Sequence, residues 1–161
     1  MPRTYEPIAS TTLGSNASTV TFDNIPGTYT DLRLVATFTE SNLYCLLRYN
    51  SDTGSNYSRT YLRGDGSSAS SSRSSNQTSG YLDSHGSTPA INIYDILSYA
   101  NTNVFKTALN AVANVGGGEV NRYVYLWRST SAITAVNIVS VTGTSSLLSG
   151  STFALYGIRA A

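Results

Sequence analysis

Apolar and polar residues alternate along most of this 161-residue chain, and a period of two is the signature of a half-buried strand. Thr19-Val20-Thr21-Phe22 is a short alternating run, followed by Asp23-Asn24-Ile25-Pro26-Gly27-Thr28 with its Pro-Gly turn signal. Next, Leu32, Leu34, Ala36 and Phe38 share one face, while Arg33, Thr37 and Thr39 fall on the other. A helix would need the apolar residues three and four apart, and they are not. Leu43, Cys45, Leu47 and Tyr49 repeat the pattern ahead of a turn cluster at 50–56. Residues 58–63 read as a further short strand. The stretches 90–97, 104–113, 120–128, 132–141 and 152–159 complete the set, each rich in β-branched or aromatic residues. Gly116-Gly117-Gly118 separates two of them, as a hairpin turn does.

Eight or nine strands at regular spacing, with no long helix to cross between parallel strands, are the pattern of a sandwich or closed barrel. The expectation is an all-β, single-domain antiparallel β-sandwich of jelly-roll type over residues 11–161. Residues 1–10 read as an N-terminal arm that packs on a neighbour. The serine-rich stretch 64–80 is the one low-complexity segment and reads as a long exposed loop, at most a weak hairpin. Residues 95–100 are the best place for a helical turn.

Composition narrows the function classes. Ten basic and nine acidic residues leave a net charge of +1, which argues against a nucleic-acid binder with its basic patch. No apolar run approaches the ~20 residues of a membrane span, and no apolar signal region follows Met1-Pro2-Arg3-Thr4-Tyr5-Glu6. One cysteine, Cys45, forbids an intrachain disulfide. Ser and Thr fill 45 positions and Tyr fills 12, so the chain reads as a nearly uncharged, hydroxyl-rich globular domain.

Candidate chemistry is thin. His85 is the sole histidine, and Asp83, Ser84 and His85 are consecutive, so strand geometry sends Ser84 away from both neighbours and forms no triad. One Cys and one His fall short of a zinc ligand set. Asn50, Asp52, Gly54 and Asn56 alternate oxygen side chains as a calcium loop does, but lack its carboxylates and terminal Glu. No phosphate loop follows the triple glycine. Arg63-Gly64-Asp65 spells an adhesion tripeptide that a tight turn explains equally well. Sequons at Asn16, Asn56 and Asn76 are no more than chance supplies in so Ser/Thr-rich a chain. The acids Asp23, Asp31, Glu40, Asp52, Asp65 and Glu119 sit at turns or strand ends rather than as a pair across a sugar cleft. No catalytic residue, cofactor or metal is expected.

The aromatics carry more. Tyr123, Tyr125 and Trp127 lie on one face of a strand, as core, as a subunit contact or as a sugar platform. They are the candidate subunit interface. Tyr44, Tyr57, Tyr61 and Tyr81 flank polar loops and suit a Tyr/Ser/Asn recognition surface. Asp52, Asn56, Tyr57, Asp65, Arg73 and Asn76 are the candidate exposed binding-loop residues.

Five stretches, taken in order, carry a resemblance. They are Thr4-Tyr5-Glu6-Pro7-Ile8-Ala9 with Thr12-Leu13-Gly14-Ser15, then Ile25-Pro26-Gly27-Thr28-Tyr29-Thr30-Asp31-Leu32, then 49–62 with Asp52-Thr53-Gly54-Ser55-Asn56-Tyr57-Ser58. Leu126-Trp127-Arg128-Ser129-Thr130 and the ending Gly150-Ser151-Thr152-Phe153-Ala154-Leu155-Tyr156-Gly157-Ile158 follow. Together they resemble small virion structural proteins of tailed bacteriophages, especially those of aquatic and cyanobacterial hosts. The resemblance implies a non-enzymatic virion component assembled in the bacterial cytoplasm, as a tail-fibre subunit or a capsid decoration subunit. It also implies a homotrimer whose partners are other virion proteins and, for a fibre, a host surface glycan or protein. The competing class is a carbohydrate-binding or carbohydrate-processing domain acting away from the particle.

Overall fold

The computed structural model describes residues 4–41, 44–83, 88–114, 118–141 and 146–159. They form twelve strands and no helix. In chain order these are β1 (Thr4–Thr12), β2 (Thr19–Phe22), β3 (Asp31–Phe38), β4 (Tyr44–Tyr49), β5 (Tyr57–Gly64) and β6 (Ala69–Gln77), then β7 (Gly80–Asp83), β8 (Ala90–Leu97), β9 (Lys106–Asn114), β10 (Glu119–Trp127), β11 (Val136–Ser140) and β12 (Thr152–Arg159).

Two antiparallel sheets result, ordered β1-β12-β3-β8-β9-β10-β5-β6 and β2-β11-β4-β7. Four pairs nest inside one another along the chain: β1 with β12, β2 with β11, β3 with β8 and β4 with β7. That nesting is an antiparallel ribbon wound around a sandwich, the jelly roll expected from the pattern. Two hairpins interrupt the winding, β5–β6 before β7 and β9–β10 before β11. Because β10 pairs with β5, both hairpins add to the β8 edge and widen one sheet to eight strands.

The core lies between the sheets and follows the alternation. Leu32, Leu34, Ala36 and Phe38 of β3 are buried against Val136 and Ile138 of β11 and Cys45 and Leu47 of β4, within one apolar cluster. Burial pushes the Cys45 thiol well above its usual range, so it packs as a small apolar residue. Phe38 and Phe153 pack with ring centroids 5.8 Å apart. Gly157 of β12 lies against the Tyr29 ring, and a Cβ there would sit 2.3 Å from it.

Several expectations give way. Residues 4–12 are an edge strand hydrogen-bonded to β12 of the same chain, not a free arm. The stretch 64–80, read as a loop with at most a weak hairpin, holds the second strand of a full hairpin, the nine-residue β6 paired with β5. Its serines leave both sides wet, so no apolar alternation marks it. Residues 95–97 continue β8, and the chain then turns at Ser98, φ 52°, whose N–H donates to Asp31 Oδ1. No helical turn forms there. The strand expected at 132–141 starts only at Val136, because the Asn50 side chain takes up the backbone before it. Asn50 accepts from the N–H groups of Thr134 and Ala135 and donates to the Ala132 carbonyl. Leu43, His85 and Gly116-Gly117 lie outside the described residues.

Candidate functional site

The row expected as a subunit contact turns inward. Tyr123, Tyr125 and Trp127 of β10 are buried within the protomer, so the alternation holds and the subunit-contact assignment does not. Their polar tips are satisfied there. Tyr125 donates to the Tyr81 carbonyl, Tyr123 to the Asp83 carboxylate, and Trp127 Nε1 to Asp52 Oδ2 at 2.6 Å. Trp127 packs 5.5 Å from Tyr49 and 6.3 Å from Tyr57. Tyr57, expected on an exposed loop, is 1% exposed and belongs to this core.

The 50–56 turn is closed on itself. Asp52 Oδ1 accepts from the Gly54 N–H, and Oδ2 accepts from Asn56 Nδ2 as well as from Trp127. Burial works against the charged carboxylate, but these donors outweigh it and hold its pKa below the ordinary value. N–H groups aimed at both oxygens suit an anion held by its own turn, not a calcium ligand. Asp65 likewise accepts from the backbone and hydroxyls of Ser67 and Ser68, which fixes the exposed β5–β6 turn and lowers its pKa. Arg73 stands exposed on β6 opposite Thr60. Asn76, in the left-handed region at φ 54°, accepts from Arg128. Asp52, Asn56, Tyr57 and Asn76 meet around Trp127 and Arg128 as part of the closed turn, whereas Asp65 and Arg73 lie apart along the β5–β6 hairpin, so the six do not form one exposed surface.

A different set does converge. Tyr44, Tyr61 and Tyr81 are half-buried, Tyr61 and Tyr81 beside Arg59 and Tyr44 beside Tyr81. The Arg59 guanidinium carbon lies 4.2 Å from the Tyr81 ring centroid and 6.0 Å from that of Tyr61. Tyr44 meets Tyr81 edge-on at 4.8 Å, and Tyr61 packs 5.6 Å from Tyr123. Behind them Asp83 accepts from Tyr123 and from Asn121 Nδ2, and burial raises its carboxyl pKa despite those donors. Arg59 Nε and Asn121 Oδ1 are buried with no hydrogen-bond partner. Glu119 is held by Arg63.

Rings with polar tips beside a guanidinium supply stacking and hydrogen bonding for a polar ligand such as a saccharide. The tyrosines were visible in the sequence as residues flanking loops. Arg59 was not, and Asp83 was read only as a neighbour of His85, because strand β5 meets strand β7 only through the winding of the fold. Among the described residues no three His, Cys, Asp or Glu side chains stand together as a metal site, and no helix is long and apolar enough to cross a membrane. Compared with known families, curated proteins and solved structures, the chain matches none.

Proposed function

We propose that this chain is a non-enzymatic structural subunit displayed on the outside of a tailed-phage particle, in a tail fibre or as a capsid decoration subunit. The observation that carries the reading is the widened sheet. Two inserted hairpins enlarge one wall of a disulfide-free jelly roll. The enlarged wall exposes an apolar outer side, with Leu62 and Val120 more than half exposed. Such a surface suits a module that docks on neighbours rather than one that encloses a substrate. The order of sequence motifs supports the same reading, and one buried, unpaired cysteine suits assembly in a reducing cytoplasm. The partners are further copies of the chain, other virion proteins and, at a fibre tip, a host surface glycan or protein. Purified protein offered to host cells and to phage heads lacking it tests the reading. Saturable binding to cells supports the fibre position, binding to heads supports decoration, and binding to neither counts against both.

A second reading, a carbohydrate-binding or carbohydrate-processing domain acting away from the particle, draws on one feature, the cluster of Arg59 with Tyr61, Tyr81 and Tyr44. Host polysaccharide retained by the protein but not by Arg59→Ala, in a culture where the particle carries none of the chain, would favour it.

A further inference from the structure

We infer that the outer face of the eight-stranded sheet seats the same face of a second copy of this chain. The inference deepens the assembly part of the proposed function, yet it concerns the isolated protein and is tested apart from any particle. On β8, β9, β10 and β5 the side chains that alternate with the core point outward. The register places Ile91, Ala113 and Val120 in one row across the sheet, Ile93, Ala111, Arg122 and Leu62 in the next, and Leu109 and Val124 in the third. Leu62, Ile91, Leu109, Val120 and Val124 are all exposed. Together they leave on the order of 500 Å² of apolar surface open, the upper part of what the largest patch of a soluble monomer shows.

Size and charge argue for a second copy as the occupant. Five strands from β3 to β5, at about 4.8 Å spacing and eight residues of about 3.4 Å each, make a face of roughly 24 by 27 Å. That is the scale of the ~800 Å² each partner contributes to a standard stable interface. The face is a regular sheet surface of short apolar side chains, the kind that packs on another sheet about 10 Å away. Its charges are few and of both signs. Arg122 borders three shallow grooves on this face, and the ion pairs among the described residues leave it out. Asp95, held by Arg33 at 2.6 Å, lies on the same face two strands away. An identical face therefore brings one carboxylate, Asp95 shared with its own Arg33, to each Arg122, and each face carries a single net positive charge. A contact of a surface with itself closes as a pair, in place of the trimer that the phage resemblance implies.

Light scattering of the purified full chain at tens of micromolar tests this. The expected result is a dimer or a larger even-numbered assembly. Leu62→Glu and Val124→Lys should each turn it into folded monomer, with at least a tenfold weaker association, while Thr21→Lys on the opposite sheet changes nothing. Circular dichroism and thermal melting verify that the variants fold. Should they not, Leu109→Ala with Val124→Ala removes apolar area without adding charge and must still weaken the dimer. A monomeric wild type, an odd-numbered assembly, or a dimer indifferent to these substitutions overturns the inference.

Discussion

Trp127 donates its indole N–H to the Asp52 carboxylate, at 2.6 Å, across 75 residues of sequence. The two residues looked like parts of different functions, one a subunit contact and the other a binding loop. They are one internal joint. The 50–56 turn, the end of β10 and the Tyr49–Tyr57 pair close together around it.

Trp127→Phe should therefore destabilise the protomer by about 2 kcal/mol, the scale of a lost hydrogen bond to a charged group. Urea unfolding measures it, and the association state should not change. A variant as stable as the wild type but altered in oligomeric state would return Trp127 to an interface role.

Because N–H donors occupy both Asp52 oxygens, millimolar calcium should leave the melting temperature where it is. A calcium-dependent rise that Asp52→Asn abolishes would contradict this reading of the turn.

Lys106 is buried, and its ammonium donates to the carbonyls of Asn101, Val104 and Thr130. The one lysine of the chain ties the turn before β9 to the loop after β10. Lys106→Met should cost about 3 kcal/mol, since three carbonyls lose their shared donor. Chemical denaturation tests it, and a loss below about 1 kcal/mol would mean the carbonyls find other partners.

Gly157→Ala tests the packing of β12. Its Cβ would lie 2.3–2.4 Å from ring atoms of Tyr29, so Tyr29 must leave its place. A loss of about 2 kcal/mol is expected, and the double variant with Tyr29→Ala should lose little more than Tyr29→Ala alone.

The pH response follows from two carboxyls of opposite sign. Burial raises the Asp83 pKa in the fold, so its contribution is fully present below the unfolded carboxyl range and is lost as pH rises through the folded value. Donors lower that of Asp52, so its contribution is present above the unfolded value and lost as pH falls through the folded one. Relative to Asp83→Asn, the wild type should gain stability between about pH 7 and about pH 4.5, where Asp52 is still ionised. Thermal melts at the two pH values measure the difference, and parallel shifts in both proteins would place Asp83 in water.

The strands were legible where one side is apolar and the other wet. Leu32, Leu34, Ala36 and Phe38 alternate with Arg33 and Thr37, and they are the core. β10 is apolar on both sides, so its alternation separated Tyr123, Tyr125 and Trp127 from Val120, Arg122 and Val124 without saying which set faces inward. The larger rings go inside because backbone and carboxylate acceptors await their polar tips. β6 was hidden because a strand held by backbone pairing alone needs no apolar residue. The Tyr44–Tyr61–Tyr81 cluster was legible as residue types, but its focus, Arg59, depends on which strands the two inserted hairpins bring together.

The central proposal is that this chain stands on the outside of a tailed-phage particle. Gold-labelled antibody against it, applied to intact virions and viewed by electron microscopy, tests that most directly. Label is expected on unopened particles, concentrated either along the fibres or over the head. Particles that carry no label while infected-cell lysate holds the protein in quantity would contradict it.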